Sequence, residues 1–521
     1  MSRSVGGVGG VFTGILLFPM PQFLKIQLSP PVQKSEVKKG LLAMSEQRKL
    51  TVNSISMLVN RLTQGIVTFV LSAAIARTLG AYALGQYLLA ISYYYIFVNL
   101  ASQGFKTLFT RELARDPEIT PVYLVSGTLL QFIFSILGYI ALVVVVSIVH
   151  YSPDTSFICY IMGLTIVPFA LSNITEAIFQ AQEKMHLIAI STVPVYILRL
   201  LIMIWTLNRH YGIEYIAGIL IFSESLILAI EWLFLTRIVK PTWQINQDFI
   251  WKTIKDTRTF FAIEGIGIIA SKIDILILSI LGSEVLIGIY GGVSQLLQPF
   301  YIVSNSVTLA AFPGMSKAVY LGKEKQRQST ENVIEILLCI GLPFFIGLLF
   351  FGKELLLFIY KDPSFIQASL ILHIISLSLI TSNFSRAFSY LLIANGFEKF
   401  NLLEVIITTT VGGLAGVVLI SEYKLLGAAL MNLAMTITHF SVFTYFVYSR
   451  LFSLNLWRIM RRPLLISVFM VIVFLVLQKI NLDFLLTIIL ATCSYCFFAG
   501  LLTIRQFGGF DSVWQKLLNK G

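Results

Sequence analysis

Charge is the first thing this chain lacks. Only 12% of its 521 residues are Asp, Glu, Lys or Arg and 57% are hydrophobic, against roughly 25% and 45–50% in soluble domains. So little charge cannot cover a water-facing surface. A soluble enzyme is excluded, and a mean hydropathy of +0.84 points to an integral membrane protein. Cysteine is also scarce. Cys159, Cys339, Cys493 and Cys496 all fall inside apolar runs, so no disulfide framework is expected. Cys493 and Cys496 have the C-x-x-C spacing of metal and redox sites, but within a lipid-spanning helix they read as small hydrophobes. The histidines (His150, His186, His210, His373, His439) are too scattered for a metal site. No G-x-x-x-x-G-K-S/T loop occurs, and no loop is long enough for a nucleotide-binding or extracellular catalytic domain. Neither a cofactor nor ATP hydrolysis within the chain is expected.

What the chain has is a train of apolar stretches. They run at about 53–76, 84–104, 121–149, 156–180, 186–207, 213–236, 259–281, 285–311, 332–351, 367–394, 401–420, 425–448, 463–479 and 482–503. Each is near the roughly 20 residues that cross a bilayer, so about fourteen transmembrane helices are expected in an all-α polytopic protein. The apolar run Val11–Met20 is too short to span, and residues 1–43 read as a disordered extension. The net charge of +12 does not point to nucleic acid, because the basic residues sit in alternate loops. One set holds Lys106, Arg111 and Arg115, then Lys184, then Arg237 to Arg258, then Lys317 to Arg327, Lys399, and Arg450 to Arg462. The other holds only Arg77, Arg209, Lys353, Lys361, Lys424 and Lys479. By the positive-inside rule the first set, and both termini, face the cytoplasm.

An internal repeat is visible. Leu79-Gly80 with Gly85-Gln-Tyr87 resembles Leu281-Gly282 with Gly288-Ile-Tyr290; Glu183-Lys184 resembles Glu398-Lys399; Tyr211-Gly-Ile resembles Tyr423-Lys-Leu. Six helices per unit is even, so the halves share one orientation about an axis along the membrane normal. The expected parts are an extension at 1–43, a six-helix lobe at 44–240, a second at 241–450, and two further helices with a tail at 451–521.

Ionisable groups at bilayer depth are costly and mark function by default. The cations are Arg61, Arg199, Lys272 and Arg386, read as a cationic cavity, with Asn60, Gln64 and Asn383 as polar neighbours. The anions Glu176, Glu224, Glu264, Asp274 and Glu404 are read as ion-coupling groups or charge partners, and Glu231 as a partner of Arg237. Lys272 and Asp274, two apart on one continuous helix, would point to different sides.

These residues resemble those of bacterial polysaccharide flippases, the Wzx-type O-antigen and teichoic-acid exporters of the multidrug/oligosaccharidyl-lipid/polysaccharide exporter superfamily. The likeness lies in Arg61, Ala76-Arg77-Thr-Leu-Gly80, Gly85-Gln-Tyr87 and Arg111-Glu-Leu-Ala-Arg115-Asp-Pro117. It continues in Lys272-Ile-Asp274, Ala311-Phe-Pro313, Gly341-Leu-Pro343, Asn395-Gly396 and Leu426-Gly427-Ala-Ala429. The resemblance implies two lobes around a cavity that opens alternately to each side of the cytoplasmic membrane. It implies a polyprenyl-diphosphate-linked oligosaccharide as cargo, membrane lipids around it, and a glycan polymerase and export machinery as partners. Lys272 stands where the family more often has Arg. Two other classes compete: a multidrug or cation antiporter of the same superfamily, and a membrane glycan polymerase or ligase.

Overall fold

The computed structural model describes residues 34–102, 104–241, 245–480 and 484–506; the side chains of 34–51, 258–260, 262–264, 478, 484–485, 496, 499 and 501–506 lie outside the description. The apolar run Val11–Met20 and the extension up to residue 33 are therefore outside it, as are the side chains of Glu264 and Cys496. The chain divides into two compact units, Met1–Thr51 and Val52–Gly521. From Lys34 the backbone of the first is helical.

Every regular element among the described residues is helical. In order they are α1 Lys34–Ser102, α2 Phe105–Arg115, α3 Thr120–Val149, α4 Pro153–Gly163, α5 Ile166–Ala181, α6 Met185–Asn208, α7 Ile213–Ile238, α8 Gln247–Ala270 and α9 Ile273–Leu281. Then follow α10 Glu284–Gln295, α11 Gln298–Tyr320, α12 Lys323–Tyr360, α13 Ser369–Ser376, α14 Ser378–Ala394, α15 Glu398–Arg450, α16 Leu456–Lys479 and α17 Phe484–Gln506. Nine helical runs among the described residues are long and apolar enough to cross a membrane, ten with the bent pair α10–α11. Two of the nine are too long to be single spans. The 64 residues of Val52–Arg115 would reach roughly 95 Å as one straight helix, about three bilayer cores.

Both long runs fold back at a residue with positive φ: Gly80 (φ 83°) in α1 and Lys424 (φ 49°) in α15. Side chains on either side of each break then meet. Residues 61–69 and 87–95 line one cavity. Met435 and Met431 close on Gly412 and Gly416, where an added Cβ would lie 2.5 Å from their side chains. Small residues at this spacing let antiparallel arms approach. Splitting these two runs and adding the broken pair α8–α9 and α17 brings the ten to fourteen arms, the number read from the sequence.

The bilayer explains what lies outside. Ile133, Leu137, Ile140, Val144 and Ile148 recur every three or four residues along α3 and are all exposed. In water such a stripe would be an association hazard; in lipid it is the solvated face. One helix was not expected. Lys106, Arg111 and Arg115 read as loop charges, yet they lie on amphipathic α2, whose Phe105, Leu108, Phe109 and Leu113 are buried. That three-to-four spacing drives it down as a helix, and an added Cβ at Gly127 would meet the Phe109 ring at 2.6 Å.

The two halves cross at the repeat motifs themselves. A Cβ on Gly85 would sit 1.7 Å from the Glu284 carbonyl oxygen, and one on Gly288 would sit 1.9 Å from that of Ala81. The contacts are reciprocal, as an axis relating the halves requires. Tyr87, Leu88 and Tyr93 of one half and Ile287, Tyr290 and Val293 of the other join in one buried core.

Candidate functional site

Behind this crossing lies a cavity of about 590 Å³, walled by both arms of α1 and by the α8–α9 and α10–α11 regions. Two helix breaks shape it. The α8–α9 break falls at Ser271 and Lys272, and the second lies at Leu296–Leu297, just before Pro299 at the start of α11. Proline has no N–H to donate to the preceding turn, so the Gln295 carbonyl loses its helical donor there, and Gln295 and Gln298 line the space. Non-helical backbone at this depth is tolerated where it lines a cavity.

Three charged side chains line the cavity: Arg61, Lys272 and Asp274, with Gln64 beside them. The α8–α9 break corrects the expectation of a continuous helix carrying Lys272 and Asp274 on different sides. Lys272 is the non-helical residue before α9 (φ −127°, ψ 5°), and both side chains reach the same space. Lys272 Nζ lies 5.8 Å from the centre of the Tyr95 ring, within range of a cation–π contact. Asp274 is held in place, accepting from the Tyr290 hydroxyl at 2.8 Å and from the Ile275 amide at 2.9 Å. Among the described residues neither Arg61 nor Lys272 forms a salt bridge. The cavity thus offers two uncommitted cations and one committed anion.

The remaining intramembrane groups sit elsewhere. Arg199 is buried and donates to Glu224 at 2.6 Å and Ser223 at 3.3 Å, with its guanidinium over the Tyr196 ring. This pair borders a small chamber beside the main cavity that shares Gln64, Thr68, Tyr87, Ile91 and Tyr95 with it. Arg386 is not among the lining residues; it donates to Asn305 at 3.3 Å and stands 5.9 Å from the Tyr301 ring centre. Glu176 pairs with Lys106 of α2, and Glu404 with His439 and Thr408. Asn60 accepts from Thr192 at 2.9 Å, and fully buried Asn383 bonds Ser304, Leu337 and Leu379. Glu231 does not pair with Arg237. It is fully buried, with Ser191 as its hydrogen-bond contact at 3.3 Å.

The sequence reading passed over a hydrogen-bonded cluster that joins the two halves near Gly80. Ser152 and Thr155 each donate to Glu284 at 2.9 Å, and Tyr151 shares a 2.6 Å hydrogen bond with Ser279. Tyr82 and Gln86 donate to Asp154 at 2.8 and 2.7 Å. Two cations counted as loop charges serve as helix caps there. Arg77 donates to the carbonyls of Phe358 and Ile359 at 2.6 and 2.5 Å, and Lys424 to that of Leu281 at 3.0 Å, where helix dipoles favour positive charge. The available signals were Ser152-Pro153-Asp154 and Gly282-Ser283-Glu284, both patterned as helix starts.

A family model described as polysaccharide biosynthesis protein matches residues 50–319. No curated protein matches the sequence. Among solved structures, the lipid II flippase MurJ in an inward closed conformation superposes with a TM-score of 0.70 at 15% identity, over 87% of this chain and 98% of that one. An inward-facing multidrug resistance MATE transporter of the MOP superfamily gives 0.57 at 13% identity, over 77% and 97%. The eukaryotic MATE transporter AtDTX14 gives 0.54 at 13%, over 81% and 98%. At these identities the likeness is one of fold, and it spans nearly the whole of each relative.

Proposed function

Because the chain belongs to the polysaccharide biosynthesis protein family, we propose that it is a flippase carrying a polyprenyl-diphosphate-linked oligosaccharide across the cytoplasmic membrane by alternating access. The observation that carries this reading is the charge of the cavity. Arg61 and Lys272 line it without salt-bridge partners among the described residues, while Asp274 is already bonded by Tyr290. A wet, net-cationic pocket at bilayer depth favours an anionic cargo. A diphosphate cannot cross hydrocarbon bare, and a cation in contact with it at about 4 Å gains on the order of 4 kcal/mol at an effective dielectric of about 20. That exceeds the roughly 1.4 kcal/mol of a tenfold change in affinity.

The cargo's sugars would occupy the cavity while its lipid tail stays in the bilayer, and no covalent bond changes. With the Lys/Arg-rich loops in the cytoplasm, the Gly80 end is the outer end, and the hydrogen-bonded cluster at Glu284 closes the cavity to the outside. Glycosyltransferases would supply the cargo, and a polymerase or export apparatus would consume it. An antiporter for cationic drugs shares the fold but would be better served by an acidic pocket.

The test is to measure surface glycan and drug sensitivity in the same variants. Lys272→Glu should abolish glycan display and Lys272→Arg should retain it, with drug sensitivity unchanged in both. Normal glycan display with Lys272→Glu, or drug hypersensitivity with Asp274→Asn, would favour the antiporter.

A further inference from the structure

Away from the cavity, one fully buried acidic side chain in the N-terminal half has no salt-bridge partner among the described residues. Glu231 of α7 is fully buried, and its Oε2 has no hydrogen-bond partner. Its Oε1 stands 3.3 Å from the Ser191 hydroxyl of α6. Ser191 has one hydroxyl hydrogen, and the carbonyls of Leu187 and Ile188 are closer acceptors, at 3.0 and 2.9 Å. When that hydrogen goes to the helix, Ser191 turns only lone pairs toward the carboxyl. A carboxylate has lone pairs and nothing to donate. The buried Ser172 Oγ of α5 faces the same carboxyl and has no other partner among the described residues.

The charges around it give no relief. Glu176 of α5 and Lys106 of α2 face it but pair with each other. Along α7, Glu224 is taken by Arg199, and Arg237 lies in the exposed last turn. His186 stands in the first turn of α6. The acid of α4, Asp154, lies at the Gly80 end and is bonded by Tyr82 and Gln86. A bare anion in this position would pay the full cost of burial. A single proton on the carboxyl removes that cost and supplies the missing donor.

We infer that Glu231, with Ser191 and Ser172, forms a proton-binding site within the N-terminal half, separate from the cargo cavity. The site is wired to the cavity wall. Thr192, next to Ser191, donates to Asn60 at 2.9 Å, and Asn60 precedes the cavity residue Arg61. Lys106, which is 32% exposed, supplies the nearby positive charge, and that charge sets how readily the proton leaves.

The experiment uses the proton alone as ligand, so it fails or succeeds independently of what the cavity carries. Purified full-length protein in proteoliposomes is titrated by infrared difference spectroscopy from mildly acidic to strongly alkaline pH. A protonated-carboxyl band present at neutral pH in the wild type and missing in Glu231→Gln is expected. That band should fade as pH rises. In Lys106→Gln, loss of the nearby cation should make it persist to about tenfold lower proton concentration. Identical wild-type and Glu231→Gln spectra would overturn the site. A Glu231 band that never titrates would overturn an exchangeable proton and leave a fixed structural one. Glu231→Asp, which keeps the acid, should retain a titrating band, so a folding defect in one variant does not decide the outcome.

Discussion

Adding one methyl group at the lobe crossing should hold the Gly80 end open. In Gly85→Ala the new Cβ would lie 1.7 Å from the Glu284 carbonyl oxygen, and in Gly288→Ala 1.9 Å from that of Ala81. Both obstacles are backbone, which cannot rotate away, so the crossing arms must part by roughly 1.5 Å to regain ordinary contact. Overpacking of this kind costs about 1–3 kcal/mol, which moves an equilibrium between closed and open forms by about 5- to 150-fold. The assay is labelling of Ser294→Cys, a cavity position, by a membrane-impermeant maleimide added from outside, in a background with the native cysteines replaced. Either variant should speed labelling within that range. Because the contacts are reciprocal, parting the arms once relieves both, so the double variant should add little to either single one. Gly218→Ala, where nothing lies within 4 Å of the new Cβ, should change nothing. Unaltered labelling in well-folded Gly85→Ala, or a double variant whose effect is the product of the singles, would refute the crossing as the closure.

Removing either member of the buried Arg199–Glu224 pair should lower folded protein, by about 3–5 kcal/mol for a stranded buried charge; replacing both with Met and Leu should restore abundance, as read by detergent-resistant fluorescence chromatography. For topology, cysteines at Lys323 and Arg450 should label only from the cytoplasmic side and one at Glu422 only from outside, because α12, α13–α14 and the two arms of α15 intervene; any other pattern breaks the arm count. Tyr290→Phe removes one of the two bonds holding Asp274 and should impair glycan export less than Asp274→Asn, which keeps the shape but loses the charge; equal loss would mean that Asp274 acts only through Tyr290.

Much of this architecture could be read from apolar run lengths, because the bilayer imposes one length on every span. The Gly80 break fell between two runs, and Gly85-Gln-Tyr87 and Gly288-Ile-Tyr290, noticed as a repeat, proved to be the crossing residues. Hydropathy could not see the break at Lys272, since a short non-helical step leaves the run apolar on both sides. Without it Lys272 and Asp274 seemed to diverge. Charge alone did not separate Arg199, buried against Glu224, from Lys272, which lines open space; only tertiary packing does that. Arg77 and Lys424 were counted as loop charges, yet their role as caps on helix ends far away in sequence depends on contacts that no local pattern encodes.

The most direct measurement is transport itself. The purified protein is reconstituted in liposomes holding a polyprenyl-diphosphate-linked oligosaccharide in both leaflets, and its movement is followed by access of an externally added glycan-trimming enzyme. Wild-type protein should expose the inner-leaflet pool, Lys272→Arg should do so at a reduced rate, and Lys272→Glu should leave that pool protected. Equal exposure by Lys272→Glu, or a wild type that leaves the inner pool untouched while moving cationic drugs, would contradict a flippase with a cationic cavity.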